Sequence, residues 1–191
     1  GGDATRNMVS LETGLDFDFE PGEMNDDESV KMETTKNIKW VAKLGSQAYG
    51  NVTIANGRVF AGTNNESPRD NGKKGDRGVV MCFNEKSGDL EWQLVIPKLG
   101  AGKVSDWEYI GVCSSPAIEG NRVYVVTNKC EVVCLDIEGF KNGNDGPFMD
   151  EANYIKPKGT QDKLNEKFDA DIIWMYDMRD QLGVFPHNVT S

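Results

Sequence analysis

The stretch Ile54-Ala55-Asn56-Gly57-Arg58-Val59-Phe60 returns 64 residues later as Ile118-Glu119-Gly120-Asn121-Arg122-Val123-Tyr124, and Thr63-Asn64 returns as Thr127-Asn128 at the same offset. Further along, Val80-Met81-Cys82-Phe83-Asn84 returns as Val132-Val133-Cys134-Leu135-Asp136 at an offset of 52. A chain that repeats at tens of residues builds one supersecondary unit several times and stacks the copies, because a single copy cannot bury its own apolar face. The two offsets differ, so the loops inside the unit change length while the order of its parts is kept.

The parts are strands. Short β-branched and aromatic runs bounded by Gly and Asn predict strands over residues 38–44, 50–55, 58–63, 78–84, 89–96, 112–118, 122–127, 131–136 and 171–176. Ala55-Asn56-Gly57 and Glu119-Gly120-Asn121 supply hairpin turns from residues that tolerate positive φ. The best helical candidate, around Gln161 to Ala170, is short, polar and apolar only at Leu164 and Phe168. Each unit closes on a tryptophan: Trp92 ends the first, Trp174 the second, and Trp40 would end a preceding one. Phe185 to Thr190 stands where the first strand of a third unit should begin, so the chain reads as a piece of something longer. The expectation for residues 38–191 is two four-stranded antiparallel units plus an edge strand.

Charge narrows the function classes. Of the formal net charge of -10, residues 1–35 carry -8, from ten acids against Arg6 and Lys31. The rest is nearly balanced and holds no basic stripe, which argues against nucleic-acid binding and against anionic lipid surfaces. No apolar run is long enough to span a bilayer, so membrane insertion is not expected. Residues 1–37 mix acids, Gly and scattered apolar residues without a helical period, and read as an extended acidic arm anchored by Met8, Leu11 or Leu15.

Cys82-Phe83-Asn84-Glu85-Lys86-Ser87-Gly88-Asp89-Leu90-Glu91-Trp92 resembles the tryptophan-docking motif of pyrroloquinoline-quinone (PQQ)-like propeller repeats, A-x-D-x-x-T-G-x-x-x-W. Cys82, Asn84 and Ser87 replace its Ala, Asp and Thr, while Gly88 and Trp92 keep their places. Asn56-Gly57-Arg58-Val59-Phe60-Ala61-Gly62-Thr63 is similar to the family's second strand, and Arg6-Asn7-Met8-Val9-Ser10 resembles the segment that opens bacterial members and runs along the ring. The resemblance implies an all-β fold, a β-propeller of four-stranded antiparallel blades, present here as a partial, N-terminal arc over residues 38–191. It implies that Ser87, Gly88, Trp92, Trp174 and Trp40 dock blade against blade, each indole lying on a Gly-containing turn of its neighbour. The second copy breaks off after Cys134-Leu135-Asp136-Ile137-Glu138-Gly139 and resumes at Asp171-Ile172-Ile173-Trp174, so an insertion of surface character is expected at about 138–170.

For function, the resemblance implies a scaffold or binding module in an extracytoplasmic compartment such as the periplasm, whose partners are the remainder of its own propeller or other protein chains. The alternative is the N-terminal fragment of a PQQ-dependent dehydrogenase, and only under that alternative are PQQ and Ca²⁺ expected. The dehydrogenases' adjacent cysteine pair is missing, Cys113-Ser114 being its nearest counterpart. No catalytic, cofactor-binding or metal-binding residue is assigned in this chain. His187 is the single histidine and reads as structural. The run Asn142 to Pro147 with Asp150-Glu151 gathers oxygen ligands of the kind Ca²⁺ takes, but departs from the D-x-[DN]-x-[DN]-G loop and reads as a polar turn. Asn64 to Gly78 reads as a solvated loop of mixed charge. Given the oxidising compartment that the resemblance implies, Cys113 and Cys130, near one end of the second unit, are expected to form a disulfide, with Cys82 and Cys134 as buried thiols; four thiols in a reducing compartment is the other reading.

Overall fold

The computed structural model describes residues 13–187, in two compact units, Gly1–Val41 and Ala42–Ser191. In the first, the chain doubles back instead of running extended. Glu20 and Lys36 exchange both backbone hydrogen bonds at 3.1 Å, Met24 bridges Val30, and a 3-10 turn spans Met32–Thr34. Leu15 is 67% exposed and anchors nothing, while Met8 and Leu11 lie outside the described residues.

The second unit holds two four-stranded antiparallel sheets, each in sequence order. The first blade is β1 (Thr53–Ala55), β2 (Arg58–Asn64), β3 (Arg77–Asn84) and β4 (Leu90–Pro97). The second is β5 (Ala117–Glu119), β6 (Arg122–Val126), β7 (Glu131–Asp136) and β8 (Ile172–Asp177). The first hairpin turns on Asn56 (φ 52°) and Gly57 (φ 74°), both left-handed as a tight two-residue hairpin of matched twist requires. β1 and β5 are shorter than expected, and residues 38–44 form no strand. The backbone leading into these strands is held by side chains instead of a ladder: Gly45 N–H donates to Thr63 Oγ1 at 3.0 Å and Asn51 N–H to Ser115 Oγ at 2.8 Å.

The copies share register as well as order. Cys82 pairs with Phe60 and Trp92, and Cys134 pairs with Tyr124 and Trp174. Each outer strand carries a register shift at the same place, next to the cysteine. The extra residue, Glu91 or Ile173, directly precedes the tryptophan and so sets which face the indole takes.

The blades pack face on face. Phe60, Val80, Cys82, Trp92, Leu94 and Ile96 of the first share one core with Val123, Val125, Val133, Leu135 and Ile172 of the second. At the inner edge Thr53 Oγ1 donates to Pro116 O at 2.6 Å and Asn56 Nδ2 to Gly120 O at 2.7 Å.

The segment between β7 and β8 is not a surface appendage. It contains a 3-10 turn at Gly139–Asn142 and a short helix, α1 (Glu151–Tyr154), and Tyr154, Ile155 and Ala170 enter the core between the blades. Its far end lies along β4, where Gln93 N–H donates to Phe168 O at 2.9 Å and Ala170 N–H donates to Gln93 O at 2.8 Å. That contact pairs the outer strand of the first blade, whose edge would otherwise present unpaired backbone groups. A second short helix, α2 (Met178–Leu182), follows β8, capped by Asp177.

Residues 64–78, expected to be solvated, are tied into this arrangement. Lys73 is 1% exposed and pairs with Asp169 at 2.9 Å and Asp70 at 2.6 Å. Arg77 pairs with Asp162, also buried. A charge can be buried at such a position because its counter-charge arrives with the insertion.

No disulfide joins Cys113 and Cys130; among the described residues the cysteines are thiols. The β6–β7 turn, closed by Cys130 N–H donating to Thr127 O, places Cys130 at φ 63° and buries it, and its carbonyl accepts from Met178 N–H at the start of α2. The carbonyl of Cys113 instead lies against Gly50, which leads into the first blade.

Candidate functional site

The turn that carries Ser87 and Gly88 is built by Asn84. Its Oδ1 accepts from Lys86 N–H at 2.9 Å and Ser87 N–H at 3.2 Å, its carbonyl accepts from Gly88 N–H, and Gly88 adopts φ 78°. Ser87 Oγ accepts from Asp89 N–H at 3.3 Å. A short polar side chain at 84 and a glycine at 88 are what this turn requires. The second blade repeats the device with Asp136, whose Oδ1 accepts from Glu138 N–H at 2.7 Å. There Gly139, in the position of Ser87, takes the left-handed φ of 60°.

Trp92 spans the two copies. Its Nε1–H donates to Ile137 O at 2.9 Å, and its ring edge lies against Gly139, where a Cβ would stand 3.0 Å from Trp92 Cδ1. Its indole is 1% exposed and tilts against Phe60, centroids 6.0 Å apart at 48°. Over it opens a cavity of about 330 Å³ lined by Glu91, Glu138, Phe140 and Lys141 among others. Arg58 ties this rim together, pairing with Glu91 at 3.0 Å and Glu138 at 3.1 Å.

The second blade reproduces the same aromatic pair, Trp174 against Tyr124 at 6.1 Å and 47°. Its setting is different. Trp174 is 37% exposed and Tyr176, in the place of the fully buried Leu94, is 39% exposed. Tyr124, Val126, Val132, Cys134, Trp174 and Tyr176 thus share a sheet face equivalent to the one that the second blade covers on the first. Trp40 lies half-buried at the end of the first unit.

The insertion brings together a second set of groups. Asp171, fully buried, accepts from Asp145 N–H at Oδ2, 2.9 Å away, and Glu151, 1% exposed, accepts from Asn144 Nδ2 at Oε2, 3.1 Å away. Burial pushes the Asp171 carboxyl up to about 6 despite that N–H, and the charges of Glu151, Asp136 and Asp145 add to the rise. At the opposite end of β7, Glu131 is satisfied by Tyr154 Oη at 2.7 Å, Thr127 Oγ1 at 3.1 Å and Lys129 Nζ at 2.9 Å. Burial, reinforced by Glu131, holds the Tyr154 phenol protonated.

Sequence reasoning missed Tyr176 and Tyr124 as members of the aromatic face, although pairing each with its repeat equivalent, Leu94 or Phe60, would have found them. It also missed Lys73, Asp169 and Asp171, which nothing local distinguishes from solvated charges, and it read Glu151 as part of a polar turn. Among the described residues no group of three or more acidic, cysteine or histidine side chains is placed to hold a metal ion, and no helix is long and apolar enough to cross a membrane.

A search of curated proteins finds no match to this sequence. The protein family described as outer membrane protein assembly factor BamB, a PQQ-type repeat family, matches residues 25–139, which is more than half of the chain and includes the whole first blade and the Ile137–Gly139 turn on which Trp92 rests. With two four-stranded blades in one register, the chain belongs to this family of PQQ-like β-propeller repeat proteins.

Proposed function

We propose that this chain is a non-catalytic scaffold or binding module of an extracytoplasmic β-propeller, and that the Trp174 face of its second blade receives a further blade, from its own propeller or from another chain. One observation carries the reading: Trp92 and Trp174 hold the same geometry in the same register, yet the first indole is 1% exposed and the second 37%. The first is covered by a neighbouring blade, so the physical complement of the second is another surface of that kind, apolar, flat and bearing a turn with a left-handed glycine. The extracytoplasmic setting is supported by the matched family's description, which names outer-membrane assembly. Because the face is apolar, copies of this chain should also meet through it when no other blade is offered.

The test is sedimentation of the chain from micromolar to hundreds of micromolar concentration, with acrylamide quenching of tryptophan fluorescence. The expected result is association that shields one tryptophan and disappears in Trp174→Asp. A chain that stays monomeric throughout, with Trp174 equally quenched at every concentration, would overturn the reading.

A further inference from the structure

The loop Asn144–Glu151 presses closely on the start of β8. A Cβ at Gly146 would stand 2.5 Å from Ile173 O, and Phe148 N–H donates to that carbonyl at 3.2 Å. Inside this contact two carboxylates are fully enclosed, and each leaves one oxygen without a hydrogen-bond donor: Oε1 of Glu151 and Oδ1 of Asp171. Their second oxygens are spoken for, by Asn144 Nδ2 and Asp145 N–H.

The surrounding charges do not compensate them. Asp136, also buried, is neutralised by Arg122 at 2.6 Å, and Asp145 accepts from Asn142 Nδ2 at 2.9 Å. Among the described residues no ion pair reaches Glu151 or Asp171, in contrast to Asp169 and Asp162, which meet Lys73 and Arg77. The donors that hold their second oxygens, Asn144 and Asp145, are neighbours in the chain. Buried carboxylates without a counter-charge are strongly unfavourable, and folded proteins meet that situation by protonation, with a paired cation or with a bound metal ion.

We propose that Glu151 Oε1 and Asp171 Oδ1 hold a hard divalent cation of the calcium class, which fastens the insertion to the second blade. The donors are all oxygen, which suits Ca²⁺ over the softer transition metals, and a charge of +2 balances the two carboxylates. Two acidic side chains are fewer than a closed protein cage, so loop carbonyls, the Asn144 amide and water would complete the six to eight oxygens that Ca²⁺ takes. Tolerance of such an irregular shell favours Ca²⁺ over Mg²⁺, which demands a near-octahedral one. This site belongs to the insertion and is independent of the Trp174 face, so either inference can fail alone.

The experiment uses the whole chain, stripped with a chelator and titrated with TbCl₃ under excitation of tyrosine and tryptophan, then with CaCl₂ by calorimetry and thermal unfolding. Tyr154, three residues beyond Glu151, is placed to sensitise terbium emission. The expected result is one saturable site per chain, competed by Ca²⁺, with affinity at least tenfold weaker in Glu151→Gln and in Asp171→Asn and a thermal midpoint that rises with Ca²⁺ in the wild type only. Absence of saturable binding by the wild-type chain up to about 1 mM Ca²⁺, the weak end for extracellular calcium modules, would overturn the proposal. Binding by both variants with wild-type affinity would overturn it as well.

Discussion

Trp92 Nε1–H reaches from the outer strand of the first blade to the carbonyl of Ile137 in the second, 2.9 Å away, while the edge of the same indole rests where a side chain on Gly139 would have to be. One residue thus joins the copies twice, by a directed hydrogen bond and by apolar contact that only a missing Cβ permits. The polar tip of a buried tryptophan needs such an acceptor. The left-handed turn supplies it, because the conformation that demands glycine also turns the Ile137 carbonyl toward the neighbouring blade.

Trp92 and Trp174 should therefore respond unequally to truncation. Trp92→Ala removes a buried indole and strands a carbonyl, and should cost about 3–5 kcal/mol. Trp174→Ala should cost about 1 kcal/mol in the monomeric chain, as a half-exposed surface residue does. Urea unfolding followed by circular dichroism measures both, and equal losses would show that the equivalence of the two blades extends to their burial.

Two glycines separate conformation from contact. Gly57 (φ 74°) has open space around its missing Cβ, whereas Gly139 (φ 60°) has Trp92 there. Gly57→Ala should cost about 1–2 kcal/mol for the left-handed backbone alone. Gly139→Ala should cost more than that, with a shift in tryptophan emission that Gly57→Ala lacks. Identical effects would remove the indole from the account of Gly139.

The pair of Lys73 with Asp169 is buried on both sides, so Lys73→Met leaves a carboxylate without its main counter-charge and should destabilise the chain by about 3–5 kcal/mol. The double variant Lys73→Met, Asp169→Leu removes the orphan and should recover most of the loss. A double variant as unstable as the single one would mean that packing, not charge, sets the cost.

Burial pushes the Cys82 thiol up to about 12, and the neighbouring Glu91 carboxylate adds to the effect. The folded chain thus keeps this proton more tightly than the unfolded one does. The contribution is complete below the ordinary thiol range near 9 and is lost as the pH rises from there towards 12. The slope from this group approaches about 1.4 kcal/mol per pH unit inside that window. Cys82→Ala should flatten the decline of stability between those limits, and alkylation of native Cys82 at pH 8 should be slow compared with the unfolded chain. Rapid alkylation of the native thiol would contradict this placement.

Strand order, turn positions and the tryptophan that closes each unit were legible in the residues alone. They depend on neighbours: alternation of side chains along a strand, Asn-Gly at a hairpin, and a repeat that states each unit twice. The ends of the strands were less legible. Residues 50–52 and 112–116 look like strand, but Asn51 N–H is taken by Ser115 Oγ and Pro116 O by Thr53 Oγ1 rather than by a ladder, and only the approach of the blades makes those partners available. Leu15, one of the arm's expected anchors, is exposed, because an apolar residue shows where burial is possible and not where it happens.

Two copies of one four-stranded blade, each closing on a tryptophan, follow from the residues alone, because periodicity and turn chemistry act over a few residues. Which copy's tryptophan is covered, that the insertion fills the core between the blades, that Lys73 is buried beside Asp169, and that Glu151 and Asp171 are enclosed with an oxygen each to spare all depend on the assembled fold. Burial and charge compensation are set by surfaces far apart in the chain, so identical side chains in identical registers acquire different environments, and with them different roles.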